Sequence, residues 1–154
     1  MRLNENELVM LSAEGEITNP LLARGIYTIT HEGEPVVLPS VGGITYNIRV
    51  GQPALGWQAD HVEPGVSISN VTKREVYRDT ANICLNVLSC IGNEARTVTG
   101  DGKGSKGVVI GKHGGIEHVL IDFPPPVLDK LSIGDKILVK TYGTGLKFLD
   151  LPEV

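Results

Sequence analysis

The chain is poor in aromatic residues, in cysteine and in uninterrupted apolar sequence. Its 154 residues include one Trp, four Tyr, two Phe and only two cysteines. No apolar run is long enough for a membrane-spanning helix, and the N-terminus lacks the charged and then apolar segments of a signal peptide. Two cysteines are too few for a disulfide scaffold and fit a reducing compartment. We therefore expect a cytoplasmic protein with no membrane partner, and with Cys84 and Cys90 reduced.

An excess of basic charge is also absent. Fourteen Lys and Arg residues stand against eighteen Asp and Glu residues, which gives a formal net charge of −4. Dedicated nucleic-acid binders are usually basic, so nucleic acid is not an expected partner. The length suits one full domain. We expect a single β-rich domain over residues 1–154, divisible into two subregions of about 1–80 and 81–154 that share a core.

Glycine and proline are abundant, and they separate short segments in which apolar and polar residues alternate. There are 19 glycines and 9 prolines. Alternation is clearest at residues 24–31, 44–50 and 133–140, and is typical of half-buried strands. The pattern predicts a mainly β fold, a small β-barrel or barrel-like sheets with at most one or two short helical turns. Further strands are predicted at residues 7–17, 36–38, 65–71, 80–91, 95–99, 107–110, 118–123 and 146–149, and a helical turn at 127–131.

The segment with the most unusual composition is residues 100–118, GDGKGSKGVVIGKHGGIEH. It holds seven glycines, three lysines and two histidines. Its G-x-G-x-x-G run precedes a strand-like VVI rather than a helix, which argues against a dinucleotide site. Bare glycine N–H groups beside lysines can hold an anion, although an exposed hairpin with lysines on its edge is the alternative. The candidate ligand-binding residues are Asp101, Lys103, Lys106, Lys112, His113 and His118.

Histidines near carboxylates raise the alternative of a metal site. The candidate metal ligands are His61, His113 and His118, and Asp60 and Glu63 beside His61 offer further donors. A metal site needs three or four ligands that converge. His113 and His118 are five residues apart and need not converge if one of them lies in a loop.

Cys90 is the candidate nucleophile for enzymatic chemistry. A reactive cysteine needs a nearby cation or base to stabilise its thiolate. The flanking Leu88 and Ile91 favour burial instead, which is the common state of an inert cysteine. The apolar segments around Trp57 and at residues 123–127 favour a homo-oligomer, because contiguous apolar patches are usually covered by partners.

Long segments of the chain resemble one protein family. SCIGNEA, TGDGKGSKGVVIGKHGGIEHVLIDFP, IGDKILVKTYGTGLKFLD and the upstream GQPALGWQADHVEPGVSISN are similar to the bacterial and archaeal domain-of-unknown-function family 4438. The resemblance runs from about Asn6 onward. Members of that family are usually nearly twice this length, so it implies that the chain corresponds to their N-terminal part. It implies no assigned activity.

Three functional interpretations remain open at this point. The first is a self-associating β-domain that binds a small anionic ligand at the glycine-, lysine- and histidine-rich segment. The second is a hydrolase or lyase that uses Cys90 or a histidine and carboxylate metal site. The third, with the least support, is an RNA-binding barrel, indicated only by the basic glycine-rich segment. The sequence specifies no cofactor.

Overall fold

A computed structural model of the protein describes residues 1–19, 28–29, 31–36, 42–45, 63–70, 79–115 and 117–151. A single 3₁₀ turn, Glu5–Glu7, precedes the regular elements. In chain order these elements are β1 (Met10–Ile17), β2 (Thr28–Ile29), β3 (Pro35–Val36), β4 (Ile44–Thr45), β5 (Gly65–Ser69), α1 (Thr80–Leu88), β6 (Glu94–Thr97), β7 (Lys106–His113), β8 (His118–Asp122), α2 (Pro125–Leu128) and β9 (Lys136–Tyr142).

Seven of the strands form one antiparallel sheet that closes in a ring. The strand order is β1-β9-β6-β7-β8-β5-β4, and β1 also pairs with β5 through Glu16↔Ser69 and Ile17↔Ile68. Strands β2 and β3 pair separately. The predicted mainly β fold is therefore confirmed. No helix in the described part of the chain has the length and apolar character needed to cross a bilayer.

The core lies inside the ring and follows from the alternation of each strand. Every second residue of β5, β8 and β9 points inward, and these side chains are almost completely buried. Helix α1 adds Leu85 to the core. Its Cδ2 packs so closely on Gly15 of β1 that a Cβ on Gly15 would lie only 2.9 Å away. The inward-facing core residues of these strands are Val66, Ile68, Val119, Ile121, Ile137 and Val139.

The opposite face of β5 and β8 is buried as well. Ser67 on β5 and His118 and Leu120 on β8 alternate with the core residues, yet all three are at most 8% exposed. The two strands are neighbours in the sheet, with Ser67 directly opposite Leu120. A second buried layer therefore lies outside the ring, and it contains polar side chains.

The strand predicted at residues 80–91 is wrong, because α1 occupies most of that segment. Asp79 caps the helix by accepting a hydrogen bond from the Ala81 N–H at 3.0 Å. Ile83, Leu85 and Val87 would share one face of a strand. In the structure Leu85 is buried while Ile83 and Val87 are exposed, as a helix requires.

Two smaller expectations near the C-terminus need correction. The strand predicted at residues 146–149 is wrong, since only an isolated bridge between Leu3 and Phe148 forms there. The predicted helical turn begins earlier, at Pro125, because proline presets the φ angle of a first helical turn.

The remaining predicted strands are either confirmed or extend beyond the described part of the chain. The strands expected at 118–123 and 133–140 correspond to β8 and β9. Those expected at 24–31 and 44–50 are described only at Thr28–Ile29 and Ile44–Thr45. Trp57 and His61 lie outside the described residues.

Candidate metal centre

His113 and His118 face each other across the hairpin formed by β7 and β8. They are direct register partners, at the end of one strand and the start of the next. The pairing depends on a bulge, because Val109 opposes Ile121 while Gly111 opposes Leu120. The additional residue, Ile110, reverses which face the rest of β7 presents. A regular strand would place Lys112 opposite His118, so the bulge brings His113 to the outer buried layer.

The two imidazoles meet at the carboxylate of Glu63, two residues before β5. His118 Nδ1 lies 3.0 Å from Glu63 Oε2 and 3.1 Å from Oε1. His113 Nδ1 contacts Oε1 of the same carboxylate. Glu63 and His118 are 4% and 2% exposed, while the His113 side chain is 18% exposed. One side of the cluster therefore borders solvent and the other is enclosed.

Glu63 carries a negative charge in this environment despite its burial. Burial alone raises the pKa of its carboxyl, but hydrogen bonds from His118 and Ser67, the charge of His118 and a hydrogen bond from His113 together lower that pKa from 4.5 to about 2. The Ser67 hydroxyl donates to Glu63 Oε2 at 2.5 Å. Three donors thus converge on one carboxylate, which stays ionised at neutral pH.

A turn at Gly42 and Gly43 covers the His118 ring. Both glycines have positive φ angles, 102° and 73°. A Cβ on Gly42 would lie 3.2 Å from His118 Cε1 and 2.7 Å from Thr18 Oγ1. The Gly43 N–H donates to Thr18 Oγ1 at 3.1 Å, and Thr45 Oγ1 donates to the Glu63 carbonyl at 2.8 Å. Glycine is needed at this turn because the backbone passes directly over the ring.

The donor atoms of Glu63, His113 and His118 are close enough to share one metal ion. One ligand atom from each residue lies within 4.8 Å of the others. Two ligands on a tetrahedral zinc ion are separated by about 3.3 Å, near the distances between His118 and Glu63. Ligating carboxylates usually accept a further hydrogen bond, which Ser67 supplies here. The arrangement can hold a transition-metal ion with two nitrogens and one carboxylate.

The structure divides the ligand-binding residues predicted from the sequence between the two ends of β7. His113 and His118 meet at one end, whereas Asp101 and Lys103 are exposed in the turn before the other. A strand of this length separates its ends by about 20 Å. Lys106 begins β7 and is ion-paired with Glu94 at 3.0 Å.

The remaining predicted lysine, Lys112, is exposed beside the histidine pair. Its register partner is Val119, a core residue, so Lys112 lies on the opposite face of the strand from His113. Of the predicted set, the structure brings together the two histidines and leaves the lysines and Asp101 apart from them.

Both cysteines are free thiols, in agreement with the expected reduced state. The burial expected for Cys90 is wrong, since it is exposed just beyond the end of α1, where the chain turns at Ile91 and Gly92. Among the described residues, Cys90 joins no group of metal-ligating side chains.

The sequence predicts Glu63 only as an additional donor beside His61, and it does not predict the role of Ser67. Neither the bulge in β7 nor the pairing of β5 with β8 can be read from local periodicity. The one available indication was the presence of Glu63 and His61 in the same polar segment before a strand.

Comparison with known proteins identifies one family and one solved structure to which the chain is similar. A family model described as "Domain of unknown function (DUF4438), N-terminal" matches residues 27–154. The crystal structure of TM1086 is similar to 99% of this chain, with 52% sequence identity and a TM-score of 0.80. The chain spans 52% of that protein, about half its length. No curated protein matches the chain.

Proposed function

The chain belongs to the family described as domain of unknown function DUF4438, N-terminal, and for this member we propose that the domain binds a divalent transition-metal cation through Glu63, His113 and His118. The observation that carries the proposal is the convergence of two imidazoles on one buried, ionised carboxylate. Glu63 lies some fifty residues before the two histidines in the sequence, yet its carboxylate contacts both imidazoles.

The chemistry of the donors selects the class of cation. Imidazole nitrogen suits zinc, iron, copper and nickel, whereas magnesium and calcium favour sites made only of oxygen ligands. A buried negative charge between two imidazoles also favours a cation over a neutral ligand. We therefore assign the site to a zinc-like divalent ion rather than to magnesium or calcium.

The three ligands that the described residues supply leave at least one coordination position for another group. Catalytic zinc sites keep such a position for water or substrate, and structural sites are closed by a fourth protein ligand. Because the His113 side chain is partly exposed, that position would face solvent. The small anionic ligand expected from the sequence would bind here, to the cation, rather than among the lysines at the far end of β7. Hydrolytic or lyase chemistry at the same cation is the alternative function that this site supports.

The test is metal analysis of the chain purified without chelators. We expect close to one equivalent of zinc or another transition metal per chain, and loss of that metal in a Glu63→Gln variant. Gln keeps the shape of the side chain and removes its charge. A wild-type chain that carries no metal, and takes none up when dialysed against Zn²⁺, would show that the cluster is only a hydrogen-bonded network.

Self-association stays a second proposal, supported by one face of α1. Ile83 and Val87 are 46% and 68% exposed, and Ile91 just beyond the helix is 74% exposed. The helix sequence, TANICLNVL, carries no charged residue, so two copies could pack this face together without repulsion between like charges.

A further inference from the structure

Glu117, directly before His118, has an unusual backbone conformation. Its φ angle is 60°, and among the described residues it is the non-glycine residue with positive φ. Residues with a Cβ adopt this left-handed conformation at a cost in energy, so the surrounding structure must stabilise it. The peptide between Glu117 and His118 begins β8 and sets the direction in which the imidazole leaves the strand.

Two asparagines of α1 hold the carbonyl of Glu117. Asn82 Nδ2 donates to Glu117 O at 2.9 Å, and Asn86 Nδ2 donates to the same oxygen at 3.0 Å. Asn82 is 1% exposed, and its Oδ1 accepts a hydrogen bond from the Asn70 N–H at 2.8 Å. A buried asparagine with both ends of its amide engaged links the helix, the residue after β5 and the hairpin.

We propose that Asn82 is a positioning residue for the metal site, acting through the Glu117 carbonyl to fix His118. The inference rests on the proposed function and extends it to a residue that touches neither the metal nor its ligands' side chains. Groups that orient metal ligands from outside commonly change metal affinity 10- to 100-fold when they are removed. Asn82 acts on the main chain directly before His118, through the Glu117 carbonyl, and not on a nitrogen of the His118 ring.

The first experiment measures Zn²⁺ affinity by competition with a chromophoric chelator, in wild type and in Asn82→Ala. We expect the variant to bind Zn²⁺ at least tenfold more weakly. The matched control is Asn93→Ala, because Asn93 is also a buried asparagine whose Oδ1 accepts one backbone hydrogen bond, from Cys90 N at 2.7 Å. The control should lose thermal stability but keep Zn²⁺ affinity within about twofold of wild type.

The second experiment tests whether the effect passes through the backbone of Glu117. Glycine adopts positive φ without the steric cost, so Glu117→Gly should keep the left-handed conformation without support from Asn82. We expect the double variant Asn82→Ala/Glu117→Gly to regain a severalfold part of the affinity lost in Asn82→Ala. The visible spectrum of bound Co²⁺ should be altered in the single variant and return toward wild type in the double variant.

The outcomes separate this inference from the function on which it rests. Wild type that binds no Zn²⁺ overturns both. Wild type that binds Zn²⁺ while Asn82→Ala binds it equally well, or while Glu117→Gly restores nothing, overturns the role of Asn82 alone. If Asn82→Ala does not fold, Asn86→Ala removes the other donor to the same carbonyl from a half-buried position. That variant should bind Zn²⁺ about threefold more weakly, and unchanged affinity would overturn the inference.

Discussion

His113 and His118 are register partners across one hairpin, and both direct Nδ1 toward the carboxylate of Glu63. Directly opposed residues of an antiparallel pair have Cβ atoms about 5 Å apart, so the two rings can reach a common point. The pairing requires the bulge at Ile110, without which Lys112 would oppose His118. A local irregularity in one strand thus assembles the polar cluster on a face otherwise used for packing.

The buried carboxylate of Glu63 predicts that the free energy of unfolding decreases as the pH becomes acidic. Because folding lowers the pKa of Glu63 from 4.5 to about 2, the unfolded chain takes up the proton first as the pH falls. The free energy that Glu63 contributes is present above about pH 4.5 and is lost toward pH 2. The contribution is of the order of 3 kcal/mol in the metal-free protein.

Urea unfolding at pH 7, 4 and 3, with a chelator present, measures this loss. Glu63→Gln is the control, since its other carboxyl groups titrate as in wild type. The decrease in unfolding free energy between pH 7 and pH 3 should be smaller in Glu63→Gln. Equal decreases in the two proteins would mean that Glu63 is not held ionised by its neighbours.

The turn over His118 predicts a large penalty for a methyl group at Gly42. In Gly42→Ala, the new Cβ would meet Thr18 Oγ1 at 2.7 Å and His118 Cε1 at 3.2 Å, at a φ angle of 102°. We expect a loss of about 2–4 kcal/mol in unfolding free energy. Gly104→Ala is the matched control, because Gly104 also has positive φ, 89°, but nothing within 4 Å of the added atom. It should cost about 1 kcal/mol, and similar losses at the two positions would contradict the close packing over His118.

A buried hydroxyl predicts a stabilising substitution. Thr97 is 0% exposed, and its Oγ1 has no hydrogen-bond partner among the residues that the structure describes. Replacing the hydroxyl by a methyl group in Thr97→Val removes an unpaired polar atom and keeps the shape of the side chain. The unfolding free energy should rise by about 1 kcal/mol. Thr45→Val should lower it by a similar amount, since the Thr45 hydroxyl donates to the Glu63 carbonyl at 2.8 Å.

The exposed apolar face of α1 predicts self-association. Light scattering at micromolar concentration should return a mass above the 16.5 kDa of a single chain. Val87→Glu places a charge at the centre of that face and should shift the mass toward 16.5 kDa. A wild-type mass equal to that of one chain would reject the proposal.

Much of the strand layout could be predicted from the sequence, because alternation identifies strands wherever one face is buried. β9 is such a strand, with Ile137 and Val139 inward and Lys136 and Lys140 outward. Helix α1 cannot be predicted from the pattern alone, because TANICLNV has apolar residues at both strand and helix spacing. The capping hydrogen bond of Asp79 and the packing of Leu85 against the core decide between these periods only in the folded chain.

The candidate site could be predicted only in part. His113 and His118 carry the ligand chemistry in the sequence, but their convergence depends on a register shift that local pattern does not encode. Glu63 is some fifty residues away from both histidines and reaches them through the pairing of β5 with β8. Proximity in sequence groups the lysines of the glycine-rich segment with the histidines, but the length of β7 separates Lys103 and Lys106 from them.

Calorimetric titration of the metal-free chain with Zn²⁺ tests the central claim most directly. Wild type should bind one equivalent, His118→Ala should bind at least a hundredfold more weakly, and two variants with exposed side chains outside the cluster, Lys112→Ala and His31→Ala, should match wild type. The His31 side chain is 89% exposed, so its loss removes an imidazole without touching the cluster. Wild type and His118→Ala that take up Zn²⁺ equally, or not at all, would contradict a metal centre at Glu63, His113 and His118.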